Sequence, residues 1–119
     1  MQTKTTILVK LQVEGIHNFP KAGELFPPVS YLAYPHRHMF HITASKEVLH
    51  DNRDKEFLMF KREVQHYMIS HFNSEEIGCL NFNAMSCEMI ARQILEHFDC
   101  NYVEVFEDNE NGARVESIR

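Results

Sequence analysis

Apolar and polar residues alternate from residue 5 to residue 14: Ile7, Val9, Leu11 and Val13 fall on one face, Lys10, Gln12 and Glu14 on the other. Side chains two apart in an extended chain project to the same side, so this period predicts a half-buried strand of an antiparallel sheet. A second alternating run covers residues 36–44, with His36, His38, Phe40 and Ile42 on one face and Arg37, Met39, His41 and Thr43 on the other. The period then changes. Over residues 54–72, Phe57, Phe60, Val64, Tyr67, Met68 and His71 recur at helical spacing and predict an amphipathic helix. Ser86 can cap a second helix, with Glu88 in its first turn and Ile90, Ile94, Leu95 and Phe98 as its apolar face. Residues 101–107 alternate again, Asn111-Gly112 is a hairpin turn signal, and residues 113–118 alternate once more. The predicted order is strand, strand, helix, helix, strand, strand, with residues 73–85 as a connection. Two helices bury their apolar stripes by packing on one face of a four-stranded antiparallel sheet. The expected fold is therefore an α+β sandwich of ββααββ order.

Composition narrows the class. A chain of 119 residues with 44% hydrophobic positions suits one domain, residues 1–119, and shows no linker, repeat or low-complexity stretch. Its formal net charge of -5 argues against nonspecific nucleic-acid binding, which needs a basic face, and against an anionic membrane surface as partner. No apolar run approaches the roughly 20 residues of a bilayer span, and the polar residues 1–6 do not form a secretory signal. Cys79, Cys87 and Cys100 are odd in number and lack CxxC spacing, which suits reduced thiols rather than a disulfide framework. The expectation is a soluble, cytoplasmic protein.

The candidate chemistry lies around the long segment between the first two strands. Residues 15–35 carry Gly15, Pro20, Gly23, Pro27, Pro28 and Pro35, and loops of this length in small domains are commonly functional. His17 enters that segment, and His36 and His38 leave it. The latter two share a strand face, so both imidazoles can reach one ion, and His17 completes a set of three nitrogens. Three protein ligands with one open position are the donor set of a catalytic zinc, hence zinc is the expected cofactor. His41 lies on the opposite strand face, and His50, His66 and His97 read as solvated.

These residues, with several further segments, resemble the 6-pyruvoyl tetrahydropterin synthase and 6-carboxytetrahydropterin synthase family over nearly the whole chain. The resemblance rests on His17 and His36-Arg37-His38, on Glu56-Phe57 with Lys61-Arg62-Glu63-Val64, on Ser86-Cys87-Glu88-Met89-Ile90-Ala91, and on Val103-Glu104-Val105-Phe106-Glu107. It implies the family's T-fold, with the element order above, and assembly as a trimer or hexamer with sites between subunits. It implies zinc held by His17, His36 and His38, and Glu107 as the substrate anchor, a task suited to a carboxylate accepting two parallel N–H bonds. Glu88 matches the glutamate of the family's helix motif and is a second substrate-binding candidate, or simply a first-turn charge.

The family's catalytic cysteine falls at Leu32 and the aspartate of its Leu-Asp-His segment near Ser70, which leaves His71 as the candidate catalytic base. Cys79 and Cys87 are more distant alternatives. Two functions follow from the resemblance. One is a zinc-dependent lyase acting on 7,8-dihydroneopterin triphosphate or a related pterin, in a branch leading to 7-deazapurines or to tetrahydrobiopterin. The other is a catalytically inactive protein that binds a pterin or purine-like ligand.

Overall fold

In the computed structural model, which describes residues 1–118, the first alternating run is a strand, β1, from Thr5 to His17. A short helix, α1 (Ala22–Leu25), and a 3-10 segment (Pro27–Ala33) fill the proline-rich stretch. They lead into β2 (His36–Val48), and then into α2 (Phe57–Phe72). β3 (Asn73–Ser74) and β4 (Cys79–Asn83) follow, then α3 (Cys87–Phe98), β5 (Tyr102–Glu107) and β6 (Asn111–Glu116). Among the described residues, no helix is long and apolar enough to cross a membrane.

The sheet corrects the four-stranded antiparallel ββααββ expectation and with it the T-fold architecture inferred from the resemblance. It has six strands in the order β3-β4-β1-β2-β5-β6, and it is mixed, because β4 runs parallel to β1 beside Gly15, Ile16 and His17. The two additional strands lie in residues 73–85. β3 has two residues and β4 has five, too short for an alternating pattern to separate a strand from a loop. The parallel pairing is possible because α2 intervenes between β1 and β4, as parallel neighbours require a crossover.

The predicted hairpin also differs in detail. Its turn lies at residues 108–110, where Asp108 and Asn109 take positive φ values of 53° and 58°. Asn111 and Gly112 are already in β6, paired with Glu107 and Phe106. A side chain at residue 112 would collide with the Val105 carbonyl and the Phe106 backbone. Glycine serves close strand approach there rather than a turn.

The faces follow the sequence periods. Val9 and Leu11 of β1, Phe40, Ile42 and Ala44 of β2, and Val103 and Val105 of β5 are buried under both helices. α2 contributes Phe60, Val64 and Met68, and α3 contributes Ile90, Ala91, Ile94 and Leu95. Ser86 caps α3, its hydroxyl accepting from the Met89 N–H. Gly15 sits where β1 passes closest to this core: a Cβ there would lie 2.5 Å from the Phe82 ring and 3.1 Å from Phe40. That end of β1, with the aromatic pair beneath it, is the platform of the site.

Candidate metal centre

Sheet register builds the centre. His17 is the direct antiparallel partner of His36, and Gly15 is the partner of His38, so the three imidazoles gather at one end of the β1–β2 pair. Phe40 faces Glu107 across the β2–β5 pair, which brings Glu107 in diagonally beside His38. Ring centroids are 4.6 Å apart for His17–His36, 5.0 Å for His36–His38 and 5.5 Å for His17–His38. One ligand atom from each of His17, His36, His38 and Glu107 lies within 4.8 Å of the others. The His17 and His38 rings stand edge-on to Phe40, at 5.1 and 5.7 Å.

Each imidazole is held through Nδ1. His17 Nδ1 faces the Met85 carbonyl at 2.8 Å, His36 Nδ1 faces the Tyr34 carbonyl at 2.9 Å, and His38 Nδ1 faces Asp108 Oδ2 at 2.7 Å. A carbonyl can only accept, so Nδ1 carries a proton in the first two rings, and whenever the ring is neutral Nε2 keeps its lone pair. This is the outer partnering that metal-bound histidines require. His17 Nε2 lies 2.7 Å and His38 Nε2 3.6 Å from Glu107 Oε2, yet neither nitrogen has an aligned hydrogen-bond partner despite burial. Buried polar atoms are normally satisfied. His17 Nε2 has only the Glu107 carboxylate and His38 Nε2 has no partner within hydrogen-bond distance; converging with a third imidazole, these groups fit a divalent metal with nitrogen and oxygen ligands.

Charge is consistent with that assembly. Burial pulls the His17 imidazole down, but contact with Glu107 and the Met85 carbonyl outweigh it, leaving His17 above its ordinary 6.5. Glu107 lies below its ordinary 4.5, chiefly through contact with His17, against burial and with help from His38 and His36. In metal-free protein, the His17 contribution to stability is present below pH 6.5 and lost as pH rises through its raised value. The Glu107 contribution is present above pH 4.5 and lost as pH falls through its lowered value. The pair should therefore stabilise the chelator-treated protein most between pH 4.5 and 6.5. Thermal melts across pH should show a shoulder in that window which Glu107→Gln removes. Metal uptake should have the opposite trend, strengthening as His17 loses its proton, since a ligating imidazole must be neutral.

The centre opens into a cavity of about 750 Å³. His17, His36 and Glu107 form its polar end, and Phe19, Phe26, Leu32, Met85 and Met89 are among its apolar walls. Lys21, Glu88 and Cys87 also line it. Burial pushes the Cys87 thiol up to about 12, with the Glu107 and Glu88 carboxylates adding to the effect. It is a neutral thiol beside Glu107, not an activated nucleophile.

The sequence candidates therefore separate. His17, His36, His38 and Glu107 are brought together, with Glu107 turned toward the imidazoles, and Glu88 lines the cavity from the first turn of α3. His71 does not line it. It lies in the last turn of α2, exposed, with Nδ1 on the Tyr67 carbonyl at 3.0 Å and its ring 4.1 Å from Tyr67. The helical stripe predicted for α2 is buried only through Phe60, Val64, Tyr67 and Met68. Sequence reasoning missed Asp108 and the Met85 and Tyr34 carbonyls. The only signal for Asp108 was its position next to Glu107 at a strand end, and backbone carbonyls leave no signal at all.

Neither a family model nor a curated protein matches the chain. A solved structure does: an uncharacterized protein, WS1659 from Wolinella succinogenes, is similar with a TM-score of 0.68 over 98% of this chain and 100% of that one. At 15% identity this similarity establishes a shared fold and nothing about activity.

Proposed function

We propose that the protein is a zinc-dependent lyase of the pterin-synthase kind, acting on 7,8-dihydroneopterin triphosphate or a related pterin. The observation that carries this reading is the convergence of three Nδ1-anchored imidazoles, two of which, His17 and His36, line the polar end of an apolar cavity. His17, His36 and His38 would hold the ion. When bound there, zinc supplies a Lewis acid that polarises a substrate oxygen.

The chain's own groups account for the remaining tasks. Phe19 and Phe26, with ring centroids 6.1 Å apart, offer flat apolar surface to a heteroaromatic ring. Glu107 accepts N–H bonds from the ring edge, and Glu88 adds a second carboxylate at the α3 end of the cavity. Lys21 is the lining cation available to a phosphate group. A homo-oligomer, trimer or hexamer, belongs to this reading. The radius of gyration of 15.9 Å exceeds the roughly 13.5 Å usual for a domain of this length. Leu8, Met39, Leu25, Phe26, Tyr31 and Tyr34 are exposed.

A second reading, a catalytically inactive protein that binds a pterin or purine-like ligand, is favoured by Leu32 in the cavity wall and by His71 outside it. Metal content before and after chelation, measured beside turnover of 7,8-dihydroneopterin triphosphate, separates the two. About one zinc per chain with product supports the lyase. Zinc without product, together with thermal stabilisation by a pterin, supports the binder. Protein that takes up no zinc under any condition sinks the lyase reading, and thermal stabilisation by a pterin then decides the binder.

A further inference from the structure

We infer that Asp108 is a positioning residue for the metal centre, fixing His38 in the tautomer that points its Nε2 lone pair at the ion; this rests on the metal reading above.

Of the three Nδ1 partners, Met85 and Tyr34 offer backbone carbonyls, whereas Asp108 offers a side-chain carboxylate. A carboxylate facing Nδ1 at 2.7 Å accepts a hydrogen bond from the Nδ1–H, which keeps the proton on Nδ1 and leaves Nε2 free, and it makes the imidazole a stronger donor to metal than a carbonyl does. The carboxylate is itself fixed. Its Oδ1 accepts the Met39 N–H at 3.0 Å, and the Asp108 N–H donates to the Met39 carbonyl at 2.8 Å. Asp108 thus straps the β5–β6 turn to β2 one residue beyond His38. Its φ of 53° is a left-handed conformation that aspartate, asparagine and glycine adopt more readily than other residues. An ordinary surface ion pair has no such backbone clamp on both sides. The carboxylate is half-exposed, yet it reaches a nitrogen whose ring-mate Nε2 is buried and orphaned.

Asp108→Asn tests this with little disturbance. Asparagine tolerates the same φ, and its side-chain oxygen can still accept the Met39 N–H. Its NH2 then faces His38 Nδ1, so the favoured tautomer becomes the one protonated at Nε2. The first measurement needs no metal: nitrogen NMR of the imidazoles in chelator-treated protein. His38 should carry its proton on Nδ1 in the parent and on Nε2 in D108N. The second is competition titration with zinc, in which D108N should bind about 10–100-fold more weakly. Asp108→Gly, which also suits the positive φ but lacks the carboxylate, should weaken binding similarly and covers the case in which D108N does not fold. An unchanged His38 tautomer in D108N, or zinc affinity within about twofold of the parent in a folded variant, overturns the inference. If the parent itself takes up no zinc, the metal reading falls and the tautomer measurement alone decides the role of Asp108.

Discussion

On the zinc reading proposed above, His36→Ala is expected to weaken zinc binding by two to three orders of magnitude while leaving the fold intact. A four-ligand structural zinc is worth roughly 10–16 kcal/mol, so one ligand carries about 2.5–4 kcal/mol, or roughly 10²–10³ in affinity. The fold should survive because of where His36 sits. It opens β2, is only partly buried, and its Nδ1 bonds to Tyr34 two residues away. Its removal strands no buried group from a distant part of the chain. His17 is a less clean test: it is 8% exposed and bonds the Met85 carbonyl, so His17→Ala mixes loss of a ligand with loss of packing. Competition with a chromophoric chelator would read the affinity, and a melt of the chelator-treated protein would read the fold. An affinity unchanged in H36A, with the melt also unchanged, would remove His36 from the ligand set.

Phe40→Ala should be among the most destabilising single substitutions, at about 3–5 kcal/mol and a melting temperature lower by about 10–20 °C. Phe40 is fully buried, packs edge-on against Phe82 at 4.9 Å, and also meets the His17 and His38 rings edge-on. Gly15 is already pressed against the same two phenylalanines, so backbone collapse has little room to fill the space left behind. Loss of the ring also removes the platform that sets the angle between two candidate ligands, His17 and His38. Zinc should therefore stabilise F40A less than it stabilises the parent, on top of the baseline loss. Phe40→Leu keeps most of the volume and should cost about 1.5 kcal/mol or less. Calorimetry of both variants with and without zinc checks the two effects together. A loss under about 1 kcal/mol for F40A would mean that the site end of the core is plastic rather than close-packed.

The legibility of this protein in its sequence varies by element. The alternation in residues 5–14 and 36–44 placed Val9, Leu11, Phe40 and Ile42 on the buried face, and it placed His36 and His38 on that face with them. The stripe of α3 and its Ser86 cap were equally plain. By contrast, β3 and β4 left no readable period because they are two and five residues long. Their omission made the sheet look four-stranded and antiparallel when it is six-stranded and mixed. The Asn111-Gly112 turn signal failed for a steric reason, since Gly112 is required by the close approach of Val105 and Phe106. His71 matched a helical period that runs beyond the buried part of its helix.

For the site, the sequence by itself determined which residues could be ligands and that two of them share a face. Side-chain direction in a strand is a local property with period two. Tertiary structure alone decided that His17 lies opposite His36, that Glu107 joins them, and that His71 does not line their cavity. It also decided what holds each ring. The partner of His17 is 68 residues away along the chain and that of His38 is 70. Such contacts arise from strand register and a parallel crossover, and no local pattern of apolar and polar residues encodes a register between segments so far apart.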